Sequence, residues 1–442
     1  MINEDTLIEG LIKKLQKKKT YNRYEKMPLE IYQNNRFKFG DLSNLKILIL
    51  NAPCNGFGDV VFGMKLRNYL HEWYNCDVKI ASTKVDNFKS LGEKDENLYV
   101  LKGGKSDQCR RFKHLSFVDK DGKKIPTPKA DLIFVAPVQM DFDANYSDVK
   151  ALIPYSNFLN TYFFSEYNDN LKKNFDFHTG VGKNRCGLLF ADVEHKVKKI
   201  GKLKNPYSVV YIAQTVRRAD TCFLDFVEMI AKKYSKKYKK FDIVVPHWII
   251  EEIEETNLYN KYLKKVDKYF DKFNIVRKDG TKETLLEFED GVMHNTLTLR
   301  GDILPLPYKE MATLFLKSVS DILVTGDQSI TDVLGCCWRN KLPMYQIVPW
   351  KRDFSKELAK HLPQKFLKYI KTSCGTAKAV NYHPDFQKFM KSWDFRKLAK
   401  PKLDAIIAFT LDSYQNNNIN KVYKIFLESK TKSKIIDRLE NL

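Results

Sequence analysis

Three short stretches of this sequence place glycine, carboxylate or guanidinium groups at the ends of apolar runs, where they can act on a bound molecule. The first is Asn55-Gly56-Phe57-Gly58-Asp59, just after Leu45–Asn51. Gly56 and Gly58 permit positive φ and close backbone approach, and amides at the start of a following helix can receive an anion. A carboxylate at Asp59 would repel a diphosphate laid on that helix. It suits a general base facing a hydroxyl, or, equally on local physics, a helix cap. The second is Val324-Thr325-Gly326-Asp327-Gln328-Ser329. There the amides of residues 328–330 and the Ser329 hydroxyl can grip a diphosphate, or Asp327 or Ser329 simply caps a helix. The third is Ala213-Gln214-Thr215-Val216-Arg217-Arg218. Two arginines at a strand end can neutralise phosphate charge and assist a leaving group, or can be solvated. His247 stands at the end of another apolar run, Phe241–Val245, on the same phosphate-compatible side.

Other motifs are incomplete or ambiguous. The loop at 55–59 is neither GxGxxG nor Walker A. Asp141-Phe142-Asp143 is a DxD, whose hard carboxylates can hold Mg²⁺ or Mn²⁺ against a diphosphate, but three residues of this kind arise often by chance. His178, His247 and His294 show neither HExxH nor triad spacing, so no metal site is expected. The eight cysteines form no CxxC pair, and reduced thiols are the expectation. Gly180-Val181-Gly182-Lys183 reads as a hinge in preference to a ligand loop.

The elements that must position these groups alternate. Leu45–Asn51 is a buried parallel strand by its continuous apolar run, followed by a helix over Val60–Trp73 and strands at Cys76–Ala81, Leu98–Leu101 and Ala130–Ala136. A second series opens at Ser208–Ala213 and continues through a helix at Phe223–Tyr234 and a strand at Phe241–Val245. The segment 249–275 reads as helical from its i,i+4 charges, and Thr296–Leu299 as a weak strand. A helix at Tyr308–Ser318, a strand at Asp321–Thr325, a helix at Ile330–Trp338 and a strand at Met344–Val348 close the series. After Trp350 the pattern is mostly helical. The expected organisation is an N-terminal arm (1–45), one Rossmann-like lobe (46–185), a second facing it (186–350), and a C-terminal helical segment (351–442) that can pack back on the first lobe.

The 442 residues are 43% hydrophobic and 13% aromatic, which excludes wholesale disorder, and they carry a net charge of +22. No run is apolar enough to span a membrane, and the first residues lack a secretory pattern, so the expected location is cytoplasmic, with peripheral attachment to an acidic membrane surface compatible with the charge. Codon bias of an AT-rich genome, as in a large DNA virus or an intracellular bacterium, accounts for much of the lysine content. Lys232–Lys240 reads as the solvated end of a helix, and no RNA- or DNA-binding module stands out, which ranks nucleic acid below a small-molecule partner.

The stretch LILNAPCNGFGDVVFGMKLRNYL resembles the opening strand–Gly-Asp–helix of bacterial heptosyltransferases, with Asp59 matching the aspartate assigned there as base. LPLPYKEMATLFLKSVSDILVTGDQSITDVLGCCWRNKLPMYQIV is similar to their donor-side motif through Asp321, Gly326, Asp327, Ser329 and Lys341-Leu342-Pro343. The family's Asp-Thr-Gly-x-x-His is replaced here by Gly326-Asp327-Gln328-Ser329, a Gly-Asp-x-Ser turn that recurs in divergent glycosyltransferases of the same shape. The resemblance covers about residues 45–85 and 205–350, in pieces. It implies a GT-B fold of two Rossmann-like lobes and metal-independent, inverting transfer from a nucleotide-sugar to the hydroxyl of a glycan, lipid-linked or protein acceptor, with no further cofactor. Asp59 would be the base. Asn55, Gly56 and Gly58 would form the acceptor-side loop. Gln214, Thr215, Arg217, Arg218, His247, Gly326, Asp327, Gln328 and Ser329 would hold the donor across an interlobe cleft. The alternatives are an inert basic protein that binds nucleic acid or an acidic membrane, and a nucleotide-sugar epimerase of the same architecture.

Overall fold

A computed structural model of the chain describes residues 42–53, 57–103, 115–138, 152–153, 160–173, 175–191, 200–212, 219–255, 259–288, 295–335, 341–346, 351–364, 367–370, 377–380 and 385–415. The expected arm at 1–45 falls almost wholly outside them. The chain divides into two α/β units, the first comprising residues up to Leu189 together with those from Trp393 on, the second Phe190–Ser392.

In the first unit, β1 (Lys46–Asn51), β2 (Asp77–Ser82), β3 (Leu98–Lys102), β4 (Ser116–Val118), β5 (Leu132–Val135) and β6 (Thr161–Phe163) form one sheet in the order β4-β3-β2-β1-β5-β6. Every pairing is parallel except β3 with β4. The continuous apolar runs are explained by burial on both faces. All residues of β5 are buried, as are all of β1 except Lys46. Helix α1 (Gly58–Tyr74) follows β1 and inserts Val60, Phe62, Leu66 and Leu70 into the core. The short α2 is Val85–Ser90.

The second unit holds β7 (Tyr207–Tyr211), α3 (Ala219–Tyr234), β8 (Lys240–Val244), α4 (His247–Glu255), α5 (Tyr259–Val266), β9 (Lys272–Val276), β10 (Lys282–Glu287) and β11 (Thr296–Arg300). It continues through α6 (Tyr308–Lys317), β12 (Asp321–Thr325), α7 (Asp327–Gly335), β13 (Leu342–Gln346), α8 (Arg352–His361), β14 (Leu367–Ile370), β15 (Ala377–Val380) and α9 (Phe386–Met390). Its sheet order is β10-β9-β11-β8-β7-β12-β13-β15-β14. The core gathers Phe223, Phe226, Val227 and Ile230 of α3 onto Val210, Ile243, Leu299 and Leu323 of the sheet. The α/β class with two Rossmann-like, largely parallel sheets is therefore as expected.

Three readings of the sequence need correction. The segment 249–275 is two helices and then strand β9, whose Phe273 and Ile275 are buried between β11 and β10. Residues 351–442 are not one helical segment. The part up to Ser392 belongs to the second unit and contributes the antiparallel pair β14–β15 to its sheet. Gly180–Lys183 is not a hinge, because the division between units falls at Leu189/Phe190. It is a turn locked inside the first unit, where Asn168 donates to Val181 O and accepts from Val181 N. Gly180 has φ +116°, and a Cβ there would lie 2.3 Å from Asn168 Oδ1.

From Trp393 the chain returns to the first unit. Leu188 N donates to Trp393 O and Phe395 N to Leu188 O. Gly187 makes room for this crossing, since a Cβ on it would sit 2.5 Å from Trp393 O. Helix α10 (Phe395–Leu398) puts the fully buried Phe395 against Tyr69 and Trp73 of α1. Helix α11 (Lys400–Gln415) is pinned by Asp404, which accepts from Tyr74 Oη at 2.7 Å and pairs with Lys400.

Candidate functional site

In an open parallel sheet the crevice for a ligand lies outside the carboxyl ends of the strands, where the strand order reverses. In the first unit that point is between β1 and β5, because β2 and β3 continue to one side and β6 to the other. Asp59 follows β1. It is half-buried in the first turn of α1, one position inside Gly58. The N-cap position is Phe57, whose side chain makes no cap hydrogen bond. Asp59 therefore does not occupy the cap position, although its charge suits the positive end of the helix. Gly58 opens the helix, while Asn55 and Gly56 lie outside the described residues. So does the Asp141-Phe142-Asp143 motif, which follows β5 in the sequence.

A residue that sequence reading missed holds this point together. Asn51, the last residue of β1, is fully buried. Its Nδ2 donates to Asp59 O at 2.9 Å and to Ala136 O at 2.8 Å, linking the segments that leave β1 and β5. Gly63 allows this, as a Cβ there would be 3.1 Å from the same nitrogen. The Oδ1 atom of Asn51 is buried and accepts no hydrogen bond from a described residue. Replacing Asn51 by Leu removes both donated bonds and is expected to cost about 1–3 kcal/mol. Urea denaturation measures this, and an unchanged midpoint would mean that the link is dispensable.

In the second unit the order reverses between β7 and β12. The chain after β7 carries Gln214, Thr215, Arg217 and Arg218, which lie outside the described residues. The chain after β12 carries Gly326, at φ +85°, and then α7. Asp327 and Gln328 are buried and Ser329 is half-buried. The amides expected to be free are partly engaged. Gln328 N donates to Asp327 Oδ1 at 2.8 Å, and Ile330 N to Gly326 O at 3.3 Å. The other oxygen of Asp327 pairs with Lys351 Nζ at 2.8 Å, both side chains being nearly buried, at 12% and 11% exposure. Lys351 directly precedes α8. It is a cation at the head of α7 that no local motif announces. His247 begins α4 just beyond β8, half-buried, with its Cα 3.5 Å from where a Cβ on Gly301 would lie. The structure thus brings together Gly326, Asp327, Gln328, Ser329 and Lys351, and puts His247 after β8, two strands from β12 along the same edge.

The remaining titratable clusters are structural in character. Asp242, buried in β8, is held by Asn205 and Arg300, and burial raises its pKa. Asp169 gathers His178 at 3.0 Å and Arg185 at 2.5 Å around the 168–187 turn. Burial raises the Cys76 and Cys186 thiols to about 12, which makes them poor nucleophiles. Among the described residues no three His, Cys, Asp or Glu side chains group as a metal-ligand set, and no helix is long and apolar enough to cross a membrane.

No protein family and no curated protein matches the sequence. Among solved structures the chain is similar to an alpha-glucosyltransferase in complex with UDP and a 13-mer DNA containing an HMU base. Identity is 11% and the TM-score 0.41, with 82% of this chain and 100% of that one covered. It is also similar to an alpha-glucosyltransferase in complex with UDP and a 13-mer DNA containing a central A:G mismatch, at 13% identity and a TM-score of 0.37 over 90% and 98% of the two chains. A third similarity is to the N-terminal domain of Candida albicans trehalose-6-phosphate phosphatase, at 11% identity and a TM-score of 0.35 over 92% and 97%.

Proposed function

We propose that this chain is a glycosyltransferase that moves a sugar from a nucleotide-sugar to an acceptor hydroxyl. The observation that carries the reading is the coincidence of the candidate groups with the reversal point of each sheet. Asp59 follows β1 beside the β1/β5 reversal, and the Gly326 turn with Lys351 follows β12 beside the β7/β12 reversal. The chemistry differs between the two. The first presents a carboxylate, suited to receive a proton; the second presents a cation, a positive-φ glycine and a helix start, suited to a diphosphate.

In the reaction so proposed, the acceptor oxygen attacks the anomeric carbon and its proton passes to Asp59. The bond from that carbon to the diphosphate breaks, and the diphosphate leaves with the electron pair. Lys351, Arg217 and Arg218 offset the charge that develops on it, with Ser329 completing the turn and His247 and Gln328 lining the donor side. Gln214 and Thr215 extend the same loop, and Asn55 and Gly56 the acceptor loop. In-line displacement of this kind inverts the anomeric centre. Side-chain cations supply the neutralisation, so the reading calls for no metal or cofactor.

A thermal-shift panel of nucleoside diphosphates and nucleotide-sugars tests it. One base should raise Tm selectively, since a ligand at 100 times its Kd adds about 2.7 kcal/mol of stability. If no nucleotide raises Tm, the reading fails.

A further inference from the structure

At the end of the second unit's sheet opposite Gly326, the amino ends of the parallel strands carry a different surface. Helix α3 runs out there into the turn that enters β8, and Lys232, Lys236, Lys237, Lys239 and Lys240 are all exposed. None of these makes an ion pair with a described residue, and Lys237 Nζ lies 5.2 Å from the centroid of the Tyr238 ring. Asn295 gathers further turns to the same place. Its Nδ2 donates to Ser235 O and to Tyr269 O, and its Oδ1 accepts from Asp271 N. This brings exposed Lys268 beside the α3–β8 turn.

The strand register carries the edge onward. Thr296 of β11 pairs with Lys240 of β8 on one side and Lys272 of β9 on the other. Because β10 is antiparallel, its last residue, Glu287, lies opposite Lys272. Phe288 then follows at the same edge, its amide donating to Asp271 O. Phe288 is 49% exposed, and it and Leu171 of the first unit are the exposed large apolar side chains among the described residues. Three strand spacings of about 4.8 Å separate β8 from β10, so the ring stands about 14 Å along the edge from Lys240. The carboxylates of this edge are mostly engaged. Glu287 pairs with Lys272, Asp321 with Lys233, and Asp271 accepts from Asn295 N. Among the described residues of this edge, half-buried Asp267 and buried Asp271 make no ion pair; Glu289 and Asp290, which follow Phe288 in the sequence, lie outside the described residues.

We propose that this edge binds single-stranded nucleic acid. The lysines, compact and fully hydrated charges, contact successive phosphates without reading sequence, and Phe288 offers one face on which a base stacks. An anionic membrane would also meet the charge. Membrane insertion, however, draws on a whole apolar face, and this edge has one exposed ring. The site is independent of the proposed sugar transfer, since it lies at the opposite end of the strands from Gly326 and Lys351.

The test is binding of a fluorescent single-stranded oligonucleotide of mixed sequence to the full chain, measured across a salt series. Two variants carry the same change in charge. One replaces Lys236, Lys237, Lys239 and Lys240 by Glu, and the other replaces Lys94, Lys120, Lys123 and Lys129 of the first unit by Glu. Each phosphate contact contributes about −0.7 to the slope of log affinity against log salt. The first variant should flatten the slope by about 3, and the second should leave it near the wild-type value. Phe288→Ala should weaken binding by about tenfold, as expected for one base–aromatic stack, with the slope unchanged. Equal flattening in both charge variants would assign the effect to net charge and overturn the proposal. So would wild-type affinity in Phe288→Ala, or loss of binding to phosphatidylserine vesicles, but not to the oligonucleotide, in the first variant. All these residues are exposed, and a wild-type Tm in each variant confirms that folding is intact.

Discussion

Asp59→Asn is expected to lower the rate of sugar transfer by about 10²–10⁴-fold, the usual contribution of a positioned general base, while nucleotide binding stays at its wild-type strength. The separation follows from placement. Asp59 belongs to the first unit, in the first turn of α1, whereas the diphosphate-compatible turn and Lys351 belong to the second. The fold should tolerate the change. Asparagine keeps the shape, Asn51 bonds the backbone oxygen of Asp59 rather than its side chain, and the loss of a favourable charge at a helix start costs about 0.3–1 kcal/mol. A base also leaves a signature that a structural residue does not. In the wild type, kcat/KM should climb with pH on the acid side until the carboxylate is fully ionised, and that limb should vanish in Asp59→Asn. Transfer at the wild-type rate with an unchanged Tm would remove Asp59 from the chemistry.

The strands that position Asp59 and Gly326 were legible because both their faces are covered. Leu-Lys-Ile-Leu-Ile-Leu and Asp-Ile-Leu-Val-Thr can be nothing but interior strands when helices lie on either side of the sheet. Strand β9 was hidden for the opposite reason. The preceding α4 and α5 are charged at helical spacing, and Lys272-Phe273-Asn274-Ile275-Val276 carries the same kind of mixed composition. Only its place between β11 and β10 makes it a strand. Strands β14 and β15 extend the sheet beyond β13, where a short segment with lysines suffices and no continuous apolar run is required.

The site was legible to the same extent and no further. Glycine beside a carboxylate after an apolar run marks a strand-to-helix turn, and both such turns stand beside a reversal of strand order. What local sequence does not carry is partnership across the fold. Asn51 reads as the last residue of a strand until β5, more than eighty positions later, lies beside β1 and gives its Nδ2 a second acceptor. Likewise Lys351 reads as one more lysine in a basic chain, until the crossing through β13 sets it against Asp327. The amides of the Gly326 turn show the converse. They look free in the sequence, but the helix start engages two of the three with its own acceptors, Asp327 Oδ1 and Gly326 O.

That exchange makes Lys351 the group with most to lose. Lys351→Met is expected to weaken nucleoside-diphosphate binding by at least tenfold, because it removes the cation that pairs with Asp327 at the head of α7. It should also destabilise the fold by about 3 kcal/mol, since among the described residues the nearly buried Asp327 carboxylate then keeps only the Gln328 amide. Asp327→Asn in the same background takes away the orphaned charge and should recover much of the stability without recovering the affinity. Asp327→Asn alone keeps the ammonium but releases it from its anchor, so its binding defect should be smaller than that of Lys351→Met. Chemical denaturation and nucleotide titration of the four proteins close a double-mutant cycle on both quantities. A coupling in stability with no loss of nucleotide affinity in Lys351→Met would make the pair a structural clamp at the head of α7 and move the diphosphate site elsewhere. Parallel losses confined to the lysine would make Asp327 the anchor that positions it and Lys351 the charge that meets the leaving group.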